Sequence, residues 1–347
     1  MIAEIVAEVF GRGCEIPSRA RLSGGASRAT WAVDVLDPAG RLHELVIRLS
    51  PAAAGTPSAP REGVGGMGLG LLEEARLLRA ASTAGVPVPE VVAATGSYLV
   101  MRRVEGETIP RRILRDDLYS EARPKLAAQC GKALAAVHRM PLDAVAEAVP
   151  EDPLAAWREV LDLTGQPHPV FELAFRELAR TRPASGRTTV VHGDFRNGNL
   201  IVGPEGVRAV LDWELAHVGD PVEDLGWLCV KAWRFGARPP VGGFGEYDDL
   251  VAAYERASGH RVDRDALRWW EMFGVLKWGV ICVTQAMRHL SGSTRSVELA
   301  AIGRRVCETE WDLLELLRAV PCPPAPGRPG AGPLRSAARG GRSRSAG

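Results

Sequence analysis

The chain has 347 residues, 46% hydrophobic and 24% charged, enough to bury a sizeable core in one bilobal domain or two ordinary ones. Its formal charge of +1 hides an asymmetry: residues 321–347 hold five of the 43 basic residues and no acid, leaving 38 basic against 42 acidic elsewhere. That balance speaks against a nucleic-acid-binding face, and no run approaching eighteen apolar residues offers a membrane span. The six cysteines are scattered without CxxC or zinc-ligand spacing and read as small buried hydrophobes. Met1-Ile2-Ala3-Glu4 lacks the basic-then-apolar form of a signal peptide, so a reducing cytoplasm is expected.

Ile2 to Phe10 has helical apolar spacing and predicts a short leading helix. Trp31–Leu36 and Leu42–Leu49 read as strands joined at Asp37-Pro38-Ala39-Gly40, a hairpin. Pro51 to Gly70, rich in Gly, Pro and Ala, reads as a mobile insertion. Leu71 to Ser82 is a predicted helix, stopped by Gly85 and Pro87-Val88-Pro89, and Val91–Thr95 with Tyr98–Met101 gives a second hairpin. Beyond Gly106 the pattern turns helical. Leu126, Cys130, Leu134 and Val137 recur at three- and four-residue steps, and Leu154–Leu163 and Val170–Leu178 predict two more helices. A pair of short hairpin strands around 190–211 follows. Val222–Trp233, Tyr247–Ala257, Ala266–Met287 and Val297–Leu317 then read as four helices. No period of twenty to fifty residues indicates a repeat. The fold expected is α+β and bilobal, strand-rich first and mostly helical after.

The chemistry concentrates in Val190-Val191-His192-Gly193-Asp194-Phe195-Arg196-Asn197-Gly198-Asn199-Leu200-Ile201-Val202 and in Val210-Leu211-Asp212-Trp213-Glu214. An acid, four residues, an asparagine, then a second acid after the next apolar run is the spacing of a kinase catalytic loop. Phosphoryl transfer to a hydroxyl needs a carboxylate to orient and deprotonate the acceptor, here Asp194. It also needs oxygen ligands that hold Mg²⁺ against nucleotide phosphates, here Asn199 and Asp212. The bland alternative is two β-hairpins whose turns carry Asp and Asn, as turns often do. Leu22-Ser23-Gly24-Gly25-Ala26-Ser27-Arg28 precedes the first strand pair. Ser23, Gly24, Gly25 and Ser27 suit phosphate contact through backbone N–H groups and hydroxyls, or form only a tight turn. No Walker A sequence is present, so a P-loop fold is not indicated.

These segments, with Gly219-Asp220-Pro221-Val222-Glu223-Asp224-Leu225-Gly226-Trp227, resemble the aminoglycoside phosphotransferase family of small-molecule kinases, from about Leu22 to about Arg318. Trp227, Tyr254, Trp269-Trp270 and Trp278 are more similar to the branch associated with acyl-CoA dehydrogenases. The resemblance implies a protein-kinase-like fold, ATP and Mg²⁺ as cofactors, and a small hydroxylated molecule as partner. It implies a nucleotide-binding N-lobe over residues 1–101, a hinge at 102–106 and a C-lobe over 107–320, while residues 321–347, rich in Pro, Gly, Ser and Arg, read from composition as a disordered tail. Where protein kinases read His-Arg-Asp, this chain has His192-Gly193-Asp194, which fits a branch with no phosphorylated activation loop to sense. The third-strand lysine is replaced by Arg48, with Glu74 as its expected helix partner and Glu73 as the substitute if the register slips by one. An exposed edge-strand arginine is the competing reading.

The resemblance also implies that Asp220 or Asp224 braces the catalytic loop, although capping of the next helix explains Asp220 equally. His192 reads as a hydrogen-bonding brace, His138 as structural, and the tryptophans as core more than ligand platform. Leu225 to Val320 carries 13 basic and 12 acidic residues, which builds no cation trap for a polycationic aminoglycoside. A neutral or anionic acceptor, such as a hydroxyacyl thioester, suits that count better. The competing class is a non-catalytic kinase-like nucleotide-binding module, which would not need both metal ligands and a base. No protein partner is deducible. The tail holds Leu334 as its one large apolar residue, so its removal is expected to leave the melting temperature unchanged; a clear drop in a thermal scan would show that it packs.

Overall fold

The computed structural model describes all residues except 23–28, 51–52, 54–68, 146–151, 185 and 320–347. The Ser23–Arg28 loop, nearly all of the Pro51–Gly70 insertion and the C-terminal tail therefore lie outside the described residues.

The first lobe is a five-stranded antiparallel sheet in the order β1-β2-β3-β5-β4, formed by β1 (Glu15–Leu22), β2 (Ala29–Leu36), β3 (Leu42–Leu49), β4 (Val91–Ala94) and β5 (Tyr98–Arg102). Strand alternation sorts its side chains. Leu45, Ile47 and Val100 face helix α1 (Ile2–Phe10), which buries Ile2, Ile5 and Val6 against them. Val46, Leu99 and Met101 point the other way, towards helix α2 (Leu71–Thr83), whose Ala75, Leu77 and Leu78 are buried. Arg48 pairs in register with Leu99 and so also faces α2. β1 has no counterpart among the sequence expectations. It is an exposed edge strand, Glu-Ile-Pro-Ser-Arg-Ala-Arg-Leu, with no apolar alternation and a register shift between Glu15 and Ser18, where Pro17 has no N–H to give.

The second lobe opens with α3 (Pro110–Arg115), α4 (Arg123–Val137), α5 (Pro153–Asp162) and α6 (Pro169–Arg180). Four short strands follow: β6 (Thr189–Val191), β7 (Leu200–Gly203), β8 (Gly206–Val210) and β9 (His217–Gly219). The strands flanking the catalytic-type loop do not pair with each other, as the expected hairpin would require. β6 pairs with β9 and β7 with β8, so the loop bridges two separate ladders.

The described residues end in α7 (Val222–Cys229), α8 (Tyr247–Ser258), α9 (Arg264–Leu290), α10 (Val297–Gly303) and α11 (Val306–Ala319). Two predicted helices are shorter than periodicity suggested. The helix expected over 222–233 stops at Cys229. Val230 is extended, a 3-10 turn spans Lys231–Arg234, and the Arg234 guanidinium donates to the Cys229 carbonyl (2.8 Å) that helix continuation would have used. The helix expected over 297–317 breaks at Gly303-Arg304-Arg305, where 3-10 bonds to Ala301 and Ile302 close α10. Gly226 in α7 lets that helix press onto α9: a Cβ there would sit 2.7 Å from the Trp270 backbone.

Candidate active site

The loop from His192 to Asn199 is anchored from beneath. The buried Asp224, in the first turn of α7, accepts the backbone N–H of His192 (2.8 Å) and of Gly193 (2.9 Å). It also faces His138 Nε2 at 3.1 Å, while His138 Nδ1 meets the Tyr254 hydroxyl at 2.9 Å. Burial alone would push the Asp224 carboxyl up, but the His138 hydrogen bond and the loop amides hold it below its ordinary value. Of the two aspartates, Asp224 is the one that braces the loop. Asp220 instead accepts the Val222 N–H (2.9 Å) at the start of α7, and burial raises its carboxyl.

His192 is fully buried. Its Nε2 donates to the Leu211 carbonyl (3.1 Å) and its Nδ1 accepts the Asp194 N–H (3.2 Å), which fits a neutral ring; burial lowers its pKa. A neutral imidazole satisfied at both nitrogens ties the loop to the β8 end, with its one N–H and its one lone pair both engaged. The arginine-to-glycine change also has a steric reason. Gly193 has φ of 80°, and a Cβ would run into the Leu215 carbonyl.

Asp194 is held at the lobe junction by three donors. Arg196 Nε reaches both carboxylate oxygens (3.0 and 3.2 Å), Asn199 Nδ2 donates to Oδ2 (2.6 Å), and Trp227 Nε1 donates to Oδ1 (2.8 Å). Arg196 also lies 4.7 Å from the Trp233 ring centre. With its amide nitrogen spent on the Asp194 carboxylate and carbonyl, Asn199 has Oδ1 left to ligate. The Leu211 N–H donates to the Asn199 carbonyl (2.8 Å), so the β7–β8 hairpin returns Asp212 beside it. Asp212 has φ of 66°, a left-handed backbone rare outside glycine.

Arg48 forms an ion pair with Glu74 on α2, and its other terminal nitrogen lies 4.0 Å from Asp212 Oδ1. Glu74, not Glu73, is the partner. Sequence alternation explains it: Arg48 and Val46 share the sheet face that α2 covers. The structure therefore draws Arg48, Glu74, Asp194, Asn199 and Asp212 together, with His192 and Asp224 beneath. Ser23, Gly24, Gly25 and Ser27 lie outside the described residues.

Among the described residues, no group of three or more His, Cys, Asp or Glu side chains is placed to bind a metal by itself. Asn199 and Asp212 could instead offer two oxygens to Mg²⁺, the protein share such an ion takes when phosphates and water complete its octahedron. The sequence reading missed Arg196 and Trp227. Trp227 stands three residues after Asp224, hence on the same face of α7, and that spacing was the available signal. Among the described residues, no helix is long and apolar enough to cross a membrane.

The chain is 28% identical over 246 residues to acyl-CoA dehydrogenase family member 10 of Mus musculus, covering 65% of this chain and 21% of that protein. It is 32% identical over 141 residues to viomycin phosphotransferase of Streptomyces vinaceus, covering 37% of this chain and 48% of that protein. The chain thus spans about a fifth to a half of the length of these relatives. Its protein-kinase-like fold matches a spectinomycin phosphotransferase solved with ADP and spectinomycin, with a TM-score of 0.59 at 13% identity over 90% of this chain and 98% of that one. Residues 18–270, which hold the sheet, the loop and its supporting helix, match the phosphotransferase enzyme family throughout, and to that family this chain belongs.

Proposed function

We propose that this chain transfers the γ-phosphoryl group of ATP to a hydroxyl of a small molecule. The observation that carries this reading is the convergence of Asp194, Asn199 and Asp212 with the Arg48–Glu74 pair at one point between the lobes. Asp194 orients the acceptor hydroxyl and takes its proton as that oxygen bonds to the γ-phosphorus and the bond to the β-phosphate oxygen breaks, releasing ADP. Asn199 and Asp212 would hold Mg²⁺, which would neutralise phosphate charge. Arg48, fixed by Glu74, grips the α- and β-phosphates. Residues 1–101 supply the nucleotide side, including Ser23, Gly24, Gly25 and Ser27, with 102–106 as hinge and 107–320 as the base and acceptor side.

The acceptor class favoured is a neutral or anionic hydroxyl compound such as a hydroxyacyl thioester. Arg196 is paired with Asp194 and Lys277 with Glu223, so neither pair leaves a spare carboxylate beside the base to attract a polycation. The relative named for an acyl-CoA dehydrogenase family points the same way, and the viomycin phosphotransferase relative keeps an aminoglycoside-type acceptor as the competing outcome. Measuring ADP release with Mg²⁺–ATP across hydroxyacyl-CoA and aminoglycoside panels decides between them. ADP release with neither panel nor any other hydroxyl compound, together with metal-independent nucleotide binding, would leave a binding module.

Two substitutions test the nucleotide side. Asp212→Ala and Asn199→Ala should weaken Mg²⁺-dependent nucleotide binding, Asp212 more because it supplies charge as well as an oxygen. Calorimetric titrations at several Mg²⁺ concentrations check this, and identical metal dependence in parent and variants removes both from the site. Arg48→Ala should cost roughly 10- to 100-fold in ATP affinity, in line with about 1.5–3 kcal/mol for charged hydrogen bonds, while adenosine affinity holds. Arg48→Lys should retain partial activity, since a point charge replaces a planar fork. Equal ATP and adenosine losses would take Arg48 off the phosphates.

A further inference from the structure

Trp227 is 4% exposed and sits among aromatic rings, with Trp233 centred 5.2 Å away. Core packing alone does not account for its contacts. Trp233, Trp270 and Trp278, in the same aromatic region, bury indole N–H groups that find no acceptor among the described residues. The Trp227 N–H, by contrast, ends on Asp194 Oδ1 at 2.8 Å. The other two donors to that carboxylate, Arg196 and Asn199, belong to the loop and move with it. Trp227 belongs to α7, the helix that also supplies Asp224 to the loop backbone, and is the donor fixed to a different element.

The indole is itself held in place. Lys277 Nζ lies 4.8 Å from the Trp227 ring centre and is buried with Glu223, which it meets at 3.2 Å. The second Glu223 oxygen meets His217 Nε2 at 3.1 Å. A cation over an aromatic face draws density from the ring, and an indole so polarised donates more strongly through its N–H. A buried cation, its paired carboxylate and a histidine are costly to place behind a ring whose task is only to fill space.

We propose that Trp227 is a positioning residue for Asp194: its indole N–H fixes Oδ1, and Lys277 on the ring face holds and polarises the indole. Trp227 sets the direction in which the carboxylate presents itself to the acceptor hydroxyl and touches neither acceptor nor nucleotide. The assignment rests on the phosphotransferase reading above.

The test uses protein labelled with ¹⁵N-tryptophan, whose nine indoles give nine N–H signals. Trp227→Phe identifies the Trp227 signal by its loss. In Asp194→Ala that signal should move upfield by about 1 ppm in the proton dimension and lose its protection from exchange, the mark of a lost hydrogen bond to a charged acceptor. Turnover is read as Mg²⁺–ATP hydrolysis with water as acceptor. In Trp227→Phe, kcat should fall at least about tenfold while KM for ATP stays within about twofold. Replacing Trp227 by 3-benzothienylalanine, which keeps the ring shape and loses only the N–H, should give the same split even where the phenylalanine variant folds poorly. An unmoved indole signal in Asp194→Ala, or parent kcat in the benzothienyl protein, overturns the proposal. Parent turnover in Asp194→Asn overturns the phosphotransferase reading instead, and the indole shift still reports on the Trp227 contact independently.

Discussion

Asp194→Asn is expected to cost on the order of 10²–10⁴ in turnover, the usual loss when a general base is removed, and to be the most damaging single change for activity. The neutral amide keeps the size of the side chain and one oxygen, so Trp227 and Arg196 can still donate to it. Its NH₂ group, however, comes to face Asn199 Nδ2, which now donates to Asp194 Oδ2 at 2.6 Å. Two donors cannot share that contact. Asn199 relieves the conflict by turning its amide over, which spends its oxygen on residue 194 and withdraws it from the metal. The variant should therefore bind Mg²⁺–ATP a few-fold more weakly than the parent while binding ATP without Mg²⁺ equally well. Steady-state kinetics with calorimetric titration in the presence and absence of Mg²⁺ checks both parts. Turnover within about tenfold of the parent would remove Asp194 from the chemistry.

The largest loss of stability is expected from Asp224→Ala. This carboxylate is fully buried and accepts hydrogen bonds from two loop amides and His138; deleting it strands all three donors in the core. Breaking a buried charged contact by removing one partner costs about 3–5 kcal/mol, a large share of the roughly 5–15 kcal/mol that holds a typical domain together. The pH dependence follows from the direction of the shift. The Asp224 carboxyl lies below its ordinary 3.8 when folded, so its contribution is fully present above that value and is lost as pH falls through the folded pKa. Glu223, which burial would raise but His217 and Lys277 hold at about 2, loses its contribution over the window from 4.5 down to that value. Chemical denaturation at pH 7, 5, 4 and 3 should show parent stability falling steeply below about pH 4.5. Asp224→Asn should start lower and fall less. Equal slopes in parent and variant would mean that folding leaves the Asp224 carboxyl unshifted.

Much of this was legible because the physics is local. Alternating side chains on Leu45–Leu49 put Arg48 on the face that α2 covers, and the helical spacing of Leu71–Ser82 put Glu74 opposite it. The loop motif announced its own acid, asparagine and second acid by spacing. What stayed hidden depends on partners distant in sequence. β1 carries no apolar alternation because both of its faces are largely exposed, so only pairing with β2 defines it. The strands around the loop look like one hairpin in sequence, yet β6 finds β9 across 25 intervening residues. The choice between Asp220 and Asp224 turned on which carboxylate reaches the loop amides, and Trp227 looked like core because its donor meets an acceptor 33 positions away.

The close approach at Gly226 also bears on how the base is seated. Asp224 and Trp227 straddle this glycine on α7, and the spacing to α9 there is set by main chain against main chain, with no rotamer available to yield. The helix-to-helix distance there does not depend on side-chain rotamers, whereas Lys277, further along the 27-residue α9, reaches the Trp227 ring directly. The loop that carries Asp194 is thus seated on α7 from two directions, one a residue with no side chain and the other a buried cation.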